Sequence, residues 1–289
     1  MIGAIIGDVV GSRFEFRNTD QKNFEFFHKD CCFTDDTVMT LAVGESIMRC
    51  YEYYENYDRL SDYAVEYFHE VGRRHPSCGY GGRFFNWMLG DVWVPYNSCG
   101  NGSAMRISPV GDIARSVSEA KDLSFKLTCI THNHLEGLLG AESAAIAKTM
   151  LKLGKSKEEV KEFIERHYYT LDKTVDWYRR ENNGFHGAEI CQVTMPQAFT
   201  CFFEGESFED VIRNSVSIGG DSDTIAAIAG GIAEAYYEVP GWMKSSVRTY
   251  LTDDLKEILE RWEIFTDENK LMEKIRYLYN KSEIINSKK

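Results

Sequence analysis

The first eleven residues of the chain are apolar apart from Asp8, and they place Gly3, Gly7 and Gly11 at intervals of four. Residues four apart lie on the same face of an α-helix. Glycine lowers helix stability, but a face of glycines allows a neighbouring backbone to come close. The pattern therefore predicts a central, buried helix over residues 1–11.

Helical periods and helix-start signals continue along the chain, whereas the alternation typical of strands is scarce. A helix is predicted from Asp35 to about Tyr54, with Thr34 as its N-cap. A second, rich in small residues, is predicted from Asp223 to about Tyr237. Residues 250–281 indicate one or two amphipathic helices. The sequence predicts an all-α protein, and we expect a single domain over residues 1–289.

Two clusters of acidic and hydroxyl residues stand at predicted helix starts: Thr34-Asp35-Asp36-Thr37 and Asp221-Ser222-Asp223-Thr224. Acidic residues at a helix start often only complement the helix dipole. Two crowded pairs are harder to explain in that way, since like charges repel unless a cation compensates them. Carboxylate and hydroxyl oxygens are ligands that Mg²⁺ and Mn²⁺ prefer. The clusters therefore predict a metal-dependent enzyme.

Composition limits the other functions. The 289 residues carry a formal net charge of −12, which argues against general binding to nucleic acid or to anionic membranes. The eight cysteines contain no C-x-x-C pair, and the simplest interpretation is reduced thiols in the cytoplasm. The apolar start lacks a basic leader, and no apolar run is long enough to span a membrane. We expect a cytoplasmic monomer, although no sequence feature decides the oligomeric state.

Two glycine-containing loops are candidates for ligand binding. Residues 98–109 and 79–82 could direct backbone N–H groups at a diphosphate, or could be ordinary turns. The first loop lacks the Lys-Ser/Thr ending of a P-loop. In Thr131-His-Asn-His134, structural or substrate-binding roles are favoured over metal ligation. Glu15 is either a surface acid or a catalytic one.

Taken in order, these motifs resemble the ADP-ribosylglycohydrolase family, which includes the enzyme that removes ADP-ribose from an arginine of dinitrogenase reductase. The resemblance covers residues 1 to about 240 and is specific because the whole set occurs in family order. The matching segments are Gly3–Ser12 with Glu15, Phe33–Thr37, Gly100–Arg106, Thr131–His134 and Gly219–Thr224.

The resemblance implies a compact orthogonal bundle of helices, with two Mg²⁺ or Mn²⁺ ions at the base of a cleft. It implies hydrolysis of the glycosidic bond between ADP-ribose and an acceptor, either a protein or a small molecule. By this match Glu15 and Asp36 are catalytic. The implied metal ligands are Thr34, Asp35, Asp36, Asp221, Asp223 and Thr224, and the implied substrate-binding residues are Gly79, Gly81, Ser98, Cys99, Gly100, Asn101, Gly102 and His132.

Two departures from the family pattern bear on the substrate. Some members carry an aromatic residue at the position of Cys99, so adenine is expected either to stack on Tyr80, Phe84 or another ring or to bind less tightly. Glu234 and Glu238 replace glycines that are common in the family, and we expect them to reshape the leaving-group side of the cleft.

The acceptor stays open in the sequence. ADP-ribosyl-arginine protein is the best single guess, and serine-linked ADP-ribose, poly(ADP-ribose), a nucleobase or a metabolite are alternatives. A non-catalytic ADP-ribose-binding relative is a second class of function. An all-α isoprenoid synthase is a third, although Asp35-Asp36 lacks the third aspartate expected of such an enzyme.

Overall fold

The computed structural model describes residues 1–52, 57–181 and 189–268, and these residues form helices joined by turns and loops, with no strand among them. The one β-like feature in this part of the chain is an isolated bridge between Gly100 and Ile190. The helices are α1 (Ile2–Gly11), α2 (Asp35–Glu52), α3 (Leu60–Arg74), α4 (Gly82–Leu89), α5 (Gly102–Met105), α6 (Ser108–Ile113), α7 (Val117–Thr128), α8 (Leu135–Lys152), α9 (Lys157–His167), α10 (Val175–Glu181), α11 (Cys191–Glu204), α12 (Phe208–Ser217), α13 (Ser222–Ala233), α14 (Gly241–Arg248) and α15 (253–268).

Helix α1 packs against α13 through its glycines, as the spacing of four predicts. A Cβ atom added to Gly7 would lie 2.0 Å from the carbonyl oxygen of Ala226. Another α1 glycine makes a similar contact with α13, because a Cβ on Gly3 would lie 2.3 Å from the carbonyl oxygen of Gly230. Backbones this close tolerate no side chain between them. The packing joins two helices that lie more than 200 residues apart in sequence, and so brings together the two ends of the chain that carry the acid clusters.

The predicted helix boundaries hold at their starts and differ at their ends. Helix α2 begins at Asp35, and the backbone N–H of Asp36 donates to Thr34 Oγ1 (3.3 Å), which confirms the predicted N-cap. Helix α13 ends at Ala233, where turns that carry residues 234–237 follow, four residues before the predicted end. The predicted C-terminal helical region is observed over 253–268, and its remainder lies outside the described residues.

The position of the Glu234 side chain contradicts the expectation that this residue shapes the cleft. Glu234 follows the last turn of α13, at the opposite end of that helix from Asp223, and accepts from Lys148 Nζ (2.6 Å) and the backbone N–H of Gly3 (2.8 Å). Lys148 is 2% exposed and also pairs with Asp112 (2.7 Å), while the amino group of Met1 bonds both carboxylates. Glu234 therefore balances a buried cluster of charges that joins α1, α6, α8 and α13.

Within the described part of the chain, no helix combines the length and the apolar character that crossing a membrane requires.

Candidate active site

A cavity of about 250 Å³ opens where the starts of α2 and α13 meet the glycine loops. Residues from both acid clusters line it, although they are separated by most of the sequence. Of the residues predicted from sequence, the lining includes Glu15, Asp35, Asp36, Gly79, Gly81, Ser98, Gly100, Asn101, Gly102, His132, Asp221, Asp223 and Thr224. Thr34 and Cys99 were also predicted but are not among the lining residues: Thr34 Oγ1 donates to Asp8 (2.7 Å), and the backbone oxygen of Cys99 accepts from the N–H of Cys191 (3.0 Å).

Asp8 connects α1 to the first acid cluster, and sequence reasoning assigned it no role. It is fully buried and accepts from Thr34 Oγ1 (2.7 Å) and from the backbone N–H groups of Thr34 (3.0 Å) and Thr37 (3.1 Å). Thr37 Oγ1 also donates to it. Asp8 therefore satisfies free N–H groups at the start of α2 and fixes where Asp35 and Asp36 leave the helix. A single acid in an apolar helix was the available signal.

The second cluster is held by a different clamp. Gly219 and Gly220 both have positive φ (73° and 76°), which glycine adopts without strain, and they turn the chain into α13. Asn18 fixes this turn: its Nδ2 donates to the carbonyl oxygen of Gly220 (2.9 Å), and its Oδ1 accepts from the Gly220 N–H (2.9 Å). Asn18 follows Glu15 by three residues. One side chain thus places both Glu15 and Asp221 at the cavity.

The carboxylates of the two clusters approach one another closely. Oxygens of Asp8, Asp36 and Asp223 lie within 4.8 Å of one another, and so do oxygens of Glu15, Asp221 and Asp223. Thr224 Oγ1 donates to Asp36 Oδ2 (3.2 Å), which links α13 directly to α2. Asn101 Nδ2 donates to Asp221 Oδ2 (2.6 Å). In contrast, Asp36 Oδ1 and Asp223 Oδ1 are buried and have no hydrogen-bond partner among the residues that the structure describes.

Burial raises the pKa of five acidic side chains at the site and is the largest cause for each of them. Neighbouring carboxylates add to the increase in every case except Asp8. The pKa of Glu15 is raised to about 7 by burial and by Asp221, and the pKa of Asp8 is raised to about 6 by burial. Burial and the neighbouring acids raise the pKa of Asp35, Asp36 and Asp223 well above the usual range.

The donor set fits a hard divalent cation. Two unit charges 4.8 Å apart repel by about 3.5 kcal/mol at an effective dielectric constant of about 20. Several such pairs coexist here, so either protons or cations must neutralise the site. Buried oxygens without a hydrogen-bond partner are costly, and Asp36 and Asp223, which both belong to this cluster, each have one. Oxygen-only ligands of this kind favour Mg²⁺ or Mn²⁺ over Zn²⁺.

The opposite wall of the cavity consists of the two glycine loops. The backbone N–H of Asp35 donates to the carbonyl oxygen of Cys78 (2.7 Å), which holds the 78–82 loop against α2. Gly79 there has φ 92°, a conformation that favours glycine. In the second loop, Gly100 and Gly102 face His132, whose Nε2 would lie 3.5 Å from a Cβ on either residue. Both loops therefore present backbone rather than side chains to a ligand.

Arg106 and Glu189 line the cavity, but sequence reasoning gave neither of them a role there. Arg106 is 1% exposed, and its guanidinium carbon lies 4.5 Å from the centroid of the Phe68 ring. Burial lowers the pKa of Arg106 to about 10, so it stays charged at neutral pH. Glu189 is exposed at the cavity beside Glu15. Phe84 also lines the cavity, and it stacks on Tyr80 with ring centroids 5.6 Å apart.

Comparison with known proteins settles the family. Residues 1–274 match the family model described as ADP-ribosylglycohydrolase. The chain belongs to the ADP-ribosylglycohydrolase family. The family match confirms the resemblance drawn from the motifs, and it identifies the protein as a hydrolase.

Relatives with known names cover most of the chain. The "ADP-ribosylhydrolase ARH3" of Mus musculus is 27% identical over 90% of this chain and 90% of its own length. The "ADP-ribosylarginine hydrolase Tri1" of Pseudomonas putida is 23% identical over 83% of this chain and 70% of its own. A solved structure described as an ADP-ribosylglycohydrolase-related protein complex matches with a TM-score of 0.63 at 22% identity, covering 86% of this chain and 97% of that one. This last likeness supports the all-α fold.

Proposed function

We propose that the protein hydrolyses the glycosidic bond between ADP-ribose and an acceptor in a metal-dependent reaction, and that the preferred acceptor is a protein arginine. The observation that carries the proposal is the meeting of two distant acid clusters in one cavity. There, one buried oxygen of Asp36 and one of Asp223 have no hydrogen-bond partner within the described part of the chain. Without a cation this arrangement costs stability, and no structural role for it is evident.

Two divalent cations are the proposed cofactors. Thr34, Asp35 and Asp36 would hold them from α2, and Asp221, Asp223 and Thr224 from α13. Bound there, the cations supply Lewis-acid binding of the ribose hydroxyls and stabilise developing negative charge. Asp8 supports this set from behind through Thr34 and Thr37.

Cleavage of a glycosidic bond passes through a transition state with oxocarbenium character, which nearby carboxylates stabilise. Glu15 is partly buried and lies within 4.8 Å of Asp221 and Asp223, so it can contact a ribose bound at the acidic cluster. With a pKa raised to about 7, Glu15 can hold or release a proton near neutral pH. Asp36 is the proposed proton-transfer group.

The remainder of the ligand is proposed to lie along the glycine loops. Loop N–H groups and His132 suit the oxygens of a diphosphate, which are hydrogen-bond acceptors. Tyr80 and Phe84 provide a stacked aromatic surface for adenine. This placement follows the proposed substrate roles of Gly79, Gly81, Gly100 and Gly102. Cys99 lies in the 98–109 loop, and its contact with the ligand is part of the same proposal.

Charge at the cavity mouth supports arginine as the acceptor. The guanidinium of an ADP-ribosylated arginine is cationic, and Glu15 and Glu189 offer two carboxylates where it would leave. A serine acceptor carries no charge and gains nothing from this pair. The name of the Pseudomonas putida relative, an ADP-ribosylarginine hydrolase, agrees with this choice.

The test is hydrolysis of peptides that carry ADP-ribosyl-arginine or ADP-ribosyl-serine, with Mg²⁺ or with EDTA. Asp36→Asn and Asp223→Asn should abolish release of ADP-ribose while the fold is retained. Asp172→Asn is the matched control, because Asp172 is exposed and pairs with Lys173 at the surface. We expect release that depends on metal and is faster for arginine.

Other outcomes would overturn the proposal. Binding of ADP-ribose without turnover of any linkage would indicate a binding protein, the first alternative. Turnover that persists in EDTA would contradict the metal requirement. Faster release from serine would contradict the assigned acceptor but leave the reaction class intact.

A further inference from the structure

A buried chain of three side chains runs behind the diphosphate side of the cavity. Arg106, Thr131 and His132 are 1%, 0% and 4% exposed, and they are linked in series. Arg106 Nη2 lies 2.7 Å from Thr131 Oγ1, and Thr131 Oγ1 lies 2.8 Å from His132 Nδ1. The series ends at Nδ1 of His132, the ring nitrogen that does not face Gly100 and Gly102.

The direction of the first hydrogen bond is fixed by chemistry. A guanidinium has five N–H donors and no acceptor, so Arg106 donates and Thr131 Oγ1 accepts. Arg106 is itself held in place, because its guanidinium lies over the rings of Phe68 (4.5 Å) and Phe84 (5.6 Å).

The direction of the second bond follows from the first. A threonine hydroxyl carries one proton, and its oxygen here already accepts from Arg106. In the described part of the chain, Thr131 Oγ1 has hydrogen bonds to Arg106 and His132 alone. If His132 Nδ1 donated, the buried hydroxyl proton would have no acceptor, which is costly. Thr131 therefore donates and Nδ1 accepts.

The single ring proton must then lie on Nε2. Burial, together with the positive charges of Arg106 and Arg83, holds the pKa of His132 well below its usual range, so the imidazole is neutral with one N–H. Nε2 faces Gly100 and Gly102, at 3.5 Å from where a Cβ on either would stand. The absence of side chains at both positions leaves room beside this N–H for an acceptor.

We propose that Arg106 and Thr131 are positioning residues, which hold the His132 ring with its proton on Nε2 so that it donates to an oxygen of the substrate's diphosphate. This assignment rests on the proposed function for the identity of the ligand. A histidine donor without a net charge adds a directed hydrogen bond at a cavity whose other wall is strongly acidic. The two arginines and the loop N–H groups then provide the positive potential that the diphosphate requires.

The tautomer can be measured without substrate. A long-range ¹H–¹⁵N correlation spectrum of the labelled protein distinguishes a protonated from a bare ring nitrogen, and the His132 signals are assigned by their loss in His132→Ala. We expect a protonated Nε2 and a bare Nδ1 at neutral pH. A protonated Nδ1 would overturn the proposal, whatever the activity of the enzyme.

Binding of ADP-ribose, measured by calorimetry, tests the consequence. Thr131→Val should weaken binding roughly tenfold, the effect of one lost hydrogen bond to a charged group, and Thr131→Ser should restore it. Thr128→Val is the matched control, because Thr128 is equally buried but its Oγ1 has no hydrogen-bond partner among the described residues. In turnover, Thr131→Val should raise KM and leave kcat nearly unchanged.

A double-mutant cycle separates positioning from general structural support. If Thr131 acts through His132, Thr131→Val should weaken binding in wild-type protein and have no further effect in His132→Ala. Equal effects in both backgrounds, or full affinity in Thr131→Val, would overturn the proposal. Failure of the wild-type protein to bind ADP-ribose at all would instead refute the proposed function. The ¹H–¹⁵N spectrum would then still decide which nitrogen of His132 carries the proton.

Discussion

Replacing Gly7 with alanine tests the packing that brings the two acid clusters together. The added Cβ would stand 2.0 Å from the carbonyl oxygen of Ala226, 2.3 Å from its carbonyl carbon and 2.6 Å from the N–H nitrogen of Ala227. All three atoms are backbone, so no side-chain rotation can relieve the contact. Helices α1 and α13 would have to separate by about 1 Å in a close-packed core.

The two energetic effects oppose one another, and their sizes decide the result. Alanine improves helix propensity over glycine by about 1 kcal/mol. Overpacking a core costs about 1–3 kcal/mol, and more where the strained atoms are backbone. Since Ala226 belongs to the tightest helix contact in the fold, we expect Gly7→Ala to lower the free energy of unfolding by at least about 2 kcal/mol.

Urea denaturation measures this loss, and Mn²⁺ titration measures its effect on the site. Ala226 follows Asp223 by one helical turn, so displacement of α13 should also weaken metal binding. Gly241→Ala is the matched control: a Cβ there meets nothing within 4 Å, and stability should stay the same or rise slightly. A Gly7→Ala protein as stable as wild type, with unchanged Mn²⁺ affinity, would refute the packing argument.

Three further predictions concern charge. Lys148→Met should destabilise the protein by about 3–5 kcal/mol, because it leaves the buried carboxylates of Asp112 and Glu234 with the amino group of Met1 as the one remaining cation of this cluster. Lys155→Met, at an exposed pair, should change stability by less than about 1 kcal/mol, and equal losses in thermal unfolding would contradict the difference. Glu189→Gln should lower kcat/KM several-fold for ADP-ribosyl-arginine and hardly at all for ADP-ribosyl-serine; a uniform loss would remove its role in selecting the acceptor. Mg²⁺ affinity should rise from about pH 6 to about pH 8, because Glu15, whose pKa is raised to about 7, loses its proton in this range. Calorimetric affinities that are flat with pH would contradict this assignment.

The site was largely predictable because its chemistry is local in sequence. Paired carboxylates at helix starts, and glycines where backbone must face a ligand, appear as short patterns. Gly3 and Gly7 likewise predicted a close helix contact. What the pattern could not name was the partner, since α13 lies more than 200 residues away and no local rule connects the two helices.

The residues that sequence reasoning missed act through long-range contacts. Asp8 caps α2 from another helix, and Asn18 binds a glycine turn that comes about 200 residues later in the sequence. Glu234 was misplaced for the same physical reason. A carboxylate near α13, which carries the second acid cluster, indicated the cleft. The side chain in fact lies at the far end of that helix, where Lys148 and the amino group of Met1 compensate its charge.

Anomalous diffraction from crystals soaked in Mn²⁺ tests the central claim most directly. We expect two peaks in the cavity, among the carboxylates at the starts of α2 and α13, with at least one peak beside Asp36 and Asp223. These peaks should be lost in Asp36→Asn. Peaks elsewhere on the surface, or no peak beside these two aspartates at saturating Mn²⁺, would contradict the proposal that the acid clusters form one metal centre.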